Sequence, residues 1–346
     1  MLYVTTRSKR DAYTPQRILS EGFCCEDGCY IPLHDPAFSE EDIAALGKKR
    51  FSECMADILN LLFHTKLTAW DVEFTAGRYP VRLKQLNQRM IMGELWHNTQ
   101  WNFTGMVHQL TERIGGEDLS KAAREWIRIG VGIAVLFGVY GELMRAGVVS
   151  VQQPFDISLL SGDFSEVMSA WYARRWGLPI GNIVCCCNEN SEIWNLFSHG
   201  QLRTDVPVRK TMLHEADVTL PDNLERLIYG AGGTEAVKEY LEAVRNRNTF
   251  YAEGEFLQKL RQGIYIAVVS EPRVKATIPS AYTTSRYVLS GCDALCYAGL
   301  MDYRSRTGES RMALILSKIA PVCDLPLISD ALNTTQEALK AYFDKQ

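Results

Sequence analysis

The chain has no internal repeat, no low-complexity segment, no extended run of basic residues and no Cys-x-x-Cys pair. Lys and Arg number 37 against 41 Asp and Glu, a net charge of −4. That balance offers no broad phosphate-tracking surface, so nucleic acid is not expected as a main partner. Ten cysteines in 346 residues are too few for a disulfide scaffold, and adjacent pairs such as Cys24-Cys25 rarely bridge each other. Met1–Arg7 carries no apolar run, so no secretory leader is expected and a reducing cytoplasm is the simplest setting. A Gly-x-Ser-x-Gly elbow is also missing, so no serine hydrolase triad can be named. The most apolar stretch, 129–144, is short for a membrane span and holds Gly130, Gly132, Gly138, Gly141 and Glu142. It is expected to be a buried core helix, with no membrane partner.

What is present reads as an ordinary globular chain. Hydrophobic residues make up 47% and charged residues 23%, and the length sets a prior of roughly two domains. Ser39 followed by Glu40, Glu41 and Asp42 marks a helix start, and Ile43, Leu46, Phe51, Met55, Ile58 and Leu62 continue a helical period through 63. Residues 88–96 are expected to form a strand, 103–113 and 117–146 helices, and 157–160 a buried strand. A helix over 164–175, a strand over 183–187, helices over 192–197, 222–230, 234–247 and 253–263, and a strand over 267–269 follow. The segments 279–302, 313–316 and 333–344 complete the pattern. Strands alternating with helices predict an α/β fold with a mostly parallel sheet.

Ser161-Gly162-Asp163-Phe164-Ser165-Glu166 lies between a predicted strand and a predicted helix. Such a turn offers backbone N–H groups and the positive end of a helix dipole, which suits an anion such as phosphate. The plainer alternative is a tight turn capped by Asp or Ser.

That segment, then Ala173 to Ile180 with Gly177-Leu178-Pro179, then Asn188-Glu189-Asn190, resembles the threonine synthase family. The family carries an SGNFGD-like phosphate loop, a helix ending in GLPI and a strand ending in T-N-x-N. Tyr3-Val4-Thr5-Thr6-Arg7 and Asp27-Gly28-Cys29-Tyr30-Ile31-Pro32 resemble its opening, and Glu94-Leu95-Trp96-His97 its ELFHG. Thr211 to Leu227, with Asp217, Pro221, Asn223, Glu225 and Arg226, and Leu325-Pro326-Leu327 fit two further stretches in order. The resemblance implies a type II pyridoxal-phosphate fold, tryptophan synthase β-like. Residues 1–90 would be the N-terminal α/β domain and 91–346 the parallel-sheet domain. It places the cofactor-binding set on Ser161, Gly162, Asp163, Phe164, Ser165, Asn188 and His97.

The chain departs from that pattern at four places. With His97 on the family's His, the lysine that forms the aldimine falls on Thr104, which cannot form one. No SGDTG-type loop lies between Thr104 and Ser161, so 105–160 is expected to replace a lost or reduced small domain. Asp163 stands for the family's Asn and Ser165 for its Gly, so a carboxylate would face phosphate. Ser317-Lys318-Ile319-Ala320-Pro321 stands for G-T-A-H-P, whose Thr contacts the pyridine nitrogen. Lys318 reads either as a substitute nucleophile or as a solvated surface lysine.

Cys24, Cys25 and Cys29 are expected to pack rather than bind zinc, and Cys185-Cys186-Cys187 in a strand cannot face one metal. Cys292 and Cys296 share a helical face with no His to complete a metal site. The leading expectation is therefore a catalytically degenerate threonine synthase-like protein, without a cofactor and with a binding or regulatory role. Its partners would be a small amino acid or phosphate ester, a second copy, or a true threonine synthase. One alternative is a pyridoxal-phosphate lyase acting on a phosphohomoserine-like substrate. The other is a different activity in the remnant cleft, using His97, Asp163, Glu166 or a cysteine.

Overall fold

The computed structural model describes residues 1–8, 11–20, 28–76, 81–96 and 103–345. A small antiparallel sheet pairs β1 (Tyr3–Thr5) with β2 (Tyr30–Pro32), and α1 (Pro15–Ser20) lies between them in sequence. The helix expected over 39–63 is instead two, α2 (Glu40–Leu46) and α3 (Phe51–Phe63), followed by α4 (Ala69–Ala76). Ser39 caps the first as expected, its Oγ accepting from the Asp42 N–H at 3.2 Å. The second restarts after Arg50, whose N–H donates to the Glu53 carboxylate at 2.7 Å, so the polar stretch Gly47–Arg50 separates two capped helices.

The hairpin β3 (Arg82–Asn87) and β4 (Met90–Glu94) leads to α5 (Phe103–Gly115) and α6 (Lys121–Arg145). Next come β5 (Phe155–Leu160), α7 (Ser165–Arg175), β6 (Ile180–Cys187), α8 (Glu192–His199) and β7 (Gln201–Arg203). α9 (Leu224–Asn246) is the expected 222–230 and 234–247 pair, joined across a kink at Gly233, where φ is +70°. β8 (Thr249–Tyr251), α10 (Gly254–Arg261) and β9 (Ile264–Val268) follow. The segment expected at 279–302 is two helices, α11 (Glu271–Ser285) and α12 (Gly291–Thr307), because Ser290 caps a new start. β10 (Ala313–Ser317), α13 (Leu325–Leu332) and α14 (Gln336–Phe343) end the chain.

Six strands form the central sheet in the order β3-β4-β10-β5-β6-β9. β3 runs antiparallel to β4, and the other neighbours are parallel, as the α/β reading expects. Helices cover both faces, so the inner strands are buried along nearly their whole length. Cys185 and Cys187 enter the core on one face, and Cys186 enters the other, beside Cys296. The strand period thus keeps Cys186 on the face opposite the other two thiols, so the three cannot face one metal. Residue 90, expected as a domain boundary, is the first residue of β4 and pairs with Asn87.

The apolar stretch 129–144 lies inside α6, and 78% of that helix's most apolar window is buried within the fold. Its glycines admit the neighbouring helices. A Cβ on Gly130 would come within 2.8 Å of the Phe63 ring, and one on Gly138 within 2.8 Å of the Phe51 ring, both on α3. Across from them Ser169 of α7 donates to the Ile129 carbonyl at 3.1 Å. Trp126 of α6 meets Tyr3 and Tyr172 edge-on, each at 5.5 Å, and so joins β1 to α7. Residues 105–160 hold the remainder of α5, then α6 and β5.

Gly138→Val is expected to lower stability by about 1–3 kcal/mol through overpacking against Phe51, measured by urea denaturation.

Candidate functional site

β5 ends at Leu160 and α7 begins at Ser165, so residues 161–164 make a tight crossover. Ser161 is buried, with its N–H donating to the Cys186 carbonyl at 2.9 Å. Gly162 turns the chain at φ +42° and Phe164 holds φ +69°. A positive φ costs a phenylalanine about 1–3 kcal/mol, and full burial of its ring offsets that by a similar amount.

Asp163 is the centre of this turn. Its Oδ1 accepts from the Ser165 N–H at 3.0 Å and from the Ser165 hydroxyl at 2.7 Å. Its Oδ2 accepts from Arg128 of α6 at 2.7 Å. The side chain caps α7, and its charge sits at the positive end of that helix, where it is stabilised. Asp163 thus satisfies the first N–H of α7, as the capped-turn alternative expects. The Asp163 carbonyl in turn accepts from the Asn223 N–H at 3.1 Å and side-chain amide at 3.0 Å.

A second ion pair stands beside the first. Lys318, just past β10, contacts the Glu166 carboxylate in the first turn of α7. Both side chains are about four-fifths buried, so Lys318 is not the solvated surface lysine of the sequence reading. The strand register of β10 explains this, since Ser317 pairs with Glu94 inside the sheet and Lys318 leaves it toward α7. Its Nζ lies 5.0 Å from the centre of the Phe103 ring. Burial and the Arg128 guanidinium push the Lys318 ammonium down, to about 7, while Asp163 pulls it back up.

These groups line a cavity of about 320 Å³, together with Thr104, Gly162, Glu215, Cys292 and Asp293. Asp293 is buried, accepting from the Ser317 hydroxyl at 2.7 Å, and the Ser317 oxygen accepts from the Trp96 indole at 2.8 Å. Burial pushes the Asp293 carboxyl up to about 6, against its hydrogen bonds. Burial, with Glu215 beside it, also holds the Cys292 thiol well above its ordinary value, which disfavours a thiolate nucleophile.

The structure thus brings Gly162, Asp163, Thr104 and Lys318 of the sequence-named set to one cavity. Ser161, Phe164 and Ser165 are not among the residues that line it. Asn188 is elsewhere. It is buried, its amide donating to Thr211 at 2.9 Å and Asp217 at 2.7 Å, and it holds the loop before α9. His97, Trp101, Cys24 and Cys25 lie outside the described residues. Among the described residues no group of three His, Cys, Asp or Glu side chains is placed to hold a metal. Sequence reasoning missed Arg128, Glu215 and Asp293 as cavity residues. Ser290-x-x-Asp293 carried a helix-start signal, but Arg128 reaches Asp163 only through tertiary packing.

Behind the cavity, the first turn of α9 clamps the chain's opening segment. Glu225 accepts from the Thr6 hydroxyl and from Arg7 at 3.1 and 2.8 Å. Arg226, 2% exposed, donates to the Tyr30 carbonyl at 3.2 Å and to the Asn223 side chain. Residues 5–7 and 223–226, remote in sequence, therefore act as one unit.

Glu225→Ala removes the acceptor of Thr6 and Arg7 and is expected to cost about 1–3 kcal/mol in chemical denaturation. A second expectation concerns pH. A buried carboxyl raised from 3.8 to about 6 binds its proton more tightly in the folded state, so its contribution to stability falls as pH rises through that interval. The change is about 3 kcal/mol, and Asp293→Asn should remove it from the difference in stability between pH 4 and pH 7.

A family model described as "Threonine synthase N terminus" matches residues 2–75. Threonine synthase-like 1 of Pongo abelii is 27% identical over 238 residues, covering 67% of this chain and 31% of that protein. Threonine synthase of Pseudomonas aeruginosa is 22% identical over 222 residues, covering 60% of this chain and 46% of its own length. The chain thus spans less than half the length of these curated relatives. Among solved structures, threonine synthase of Brucella melitensis with bound PLP superposes with a TM-score of 0.81 at 17% identity, over 96% of this chain and 91% of that one. Yeast threonine synthase gives 0.82 at 15% identity, over 96% and 90%. Residues 2–75 are thus similar to the threonine synthase N terminus, and the chain as a whole shares the fold of the solved threonine synthases, the type II pyridoxal-phosphate-enzyme fold.

Proposed function

We propose that the chain is a threonine synthase-like binding protein without the family's catalysis. The observation that carries this reading is at the start of α7. Asp163 with Arg128, and Glu166 with Lys318, fill with the chain's own ion pairs the place where the resemblance puts a phosphate.

The residues there do not fit pyridoxal phosphate. The family's aldimine lysine corresponds to Thr104, whose hydroxyl cannot form an imine. The position that would face the pyridine nitrogen carries the cation Lys318. A phosphate at this turn would meet the Asp163 and Glu166 carboxylates. Each such like-charge contact costs about 4 kcal/mol at roughly 4 Å and an effective dielectric near 20.

The same charge set ranks the ligands. Among the described residues, Asp163, Glu166, Glu215 and Asp293 face Arg128 and Lys318 around the cavity. A small amino acid, with its ammonium, suits that lining better than a phosphate ester. In this reading the protein binds such a ligand in the cytoplasm and acts on a partner, a second copy or a threonine synthase. The N-terminal segment 1–90 would supply the family-like unit. A cysteine-based activity in the cleft is the less favoured reading, because burial keeps Cys292 protonated.

Incubation with pyridoxal phosphate, followed by visible absorption, borohydride reduction and peptide mapping, is expected to give no aldimine band and no modified lysine. A parallel assay with phosphohomoserine should show no turnover. A reducible aldimine on one lysine, or turnover by protein free of contaminating synthase, would falsify the proposal.

A further inference from the structure

The cavity holds a nucleophile that the binding reading leaves unused. Lys318 is the one lysine lining it among the described residues, and its Nζ touches a carboxylate that can carry a proton. We infer that this cavity is a covalent site for small neutral aldehydes, with Lys318 as the amine that forms the imine and Glu166 as its proton carrier. The inference rests on the reading that the cavity has lost the family's cofactor.

Four features favour this chemistry. The volume, about 320 Å³, is at the small end for ligand sites and admits a short-chain compound. The amine lies over the Phe103 ring and against Glu166, buried enough to be shielded from bulk water yet open to the cavity. Among the described residues the lining is acidic, with four carboxylates against two cations, so an anionic carbonyl is repelled while a hydroxylated aldehyde can donate hydrogen bonds to Asp163 or Glu215. Burial and the Arg128 guanidinium hold the Lys318 ammonium below its ordinary value, which eases passage of its proton to Glu166.

The step balances without an added reagent. The Lys318 ammonium passes a proton to Glu166. The nitrogen lone pair attacks the carbonyl carbon, a C–N bond forms, and the oxygen receives the proton back from Glu166. The carbinolamine nitrogen then holds two protons and passes one through Glu166 to the hydroxyl, which leaves as water as the C=N bond forms. The other proton stays on nitrogen, so the product is an iminium. Ammonium and aldehyde thus give iminium and water, with the positive charge kept beside the Glu166 carboxylate.

The test uses the full chain at pH 7 with glyceraldehyde and cyanoborohydride, and mass spectrometry of every lysine peptide. Lys318 is expected to be alkylated at least tenfold faster than the median lysine. Glyoxylate, an anionic aldehyde, should modify it at least tenfold more slowly than glyceraldehyde. Lys318→Arg keeps the charge for Glu166 and should retain the native circular dichroism while losing the fast site. Glu166→Gln should slow labelling of Lys318 at least tenfold and shift its pH profile. Labelling of Lys318 no faster than of surface lysines, or equally fast labelling by glyoxylate, overturns the inference. A pyridoxal phosphate arm separates the two readings. If it modifies Lys318 as fast as glyceraldehyde does, both readings fall. If it does not, and glyceraldehyde is unselective, only this inference falls.

Discussion

The first turn of α9 holds the rest of the structure in register. Arg226 is almost wholly buried, and a buried guanidinium is tolerable only where carbonyls and side-chain oxygens replace its water. Tyr30 of β2 and Asn223 supply them. Asn223 then binds the Asp163 carbonyl, and Glu225 binds Thr6 and Arg7. One turn of helix thus ties the small N-terminal sheet to the crossover that opens α7. The geometry of the cavity follows, because Asp163 cannot move without breaking both its cap and this link.

The electrostatics of the cavity descend from that placement. A helix start offers a positive dipole end, and in this chain two of its own carboxylates, Asp163 and Glu166, occupy it. Each carboxylate draws a cation from another element, Arg128 from α6 and Lys318 from the end of β10. The start of α7 thus carries two ion pairs of the chain's own, on a fold shared with solved threonine synthases.

The long helix α6 is packed through its small residues. Gly130 and Gly138 let the Phe63 and Phe51 rings of α3 approach the helix backbone, and Ser169 of α7 approaches it from another side. The same helix carries Arg128 into the cavity. Packing and site chemistry are therefore joined in one element, which local sequence reading treated only as a core helix.

Much of the architecture was legible from residue patterns. Alternating apolar runs and helical periods located β5, α7, β6 and α6, and Ser39 marked its helix start, because these depend on neighbours a few residues apart. The three-residue strands β1, β2, β7 and β8 escaped notice, since so short a segment has no period and forms only when its partner strand is in place. By itself the sequence determined the α/β order and the presence of Asp163 in the loop between β5 and α7. Only the tertiary structure decided that Asp163 caps α7 and pairs with Arg128, that Lys318 is buried against Glu166, and that Asn188 belongs to a different node. Those outcomes depend on contacts between residues as far apart as 166 and 318, and charge pairing across a buried cavity leaves no trace in local spacing.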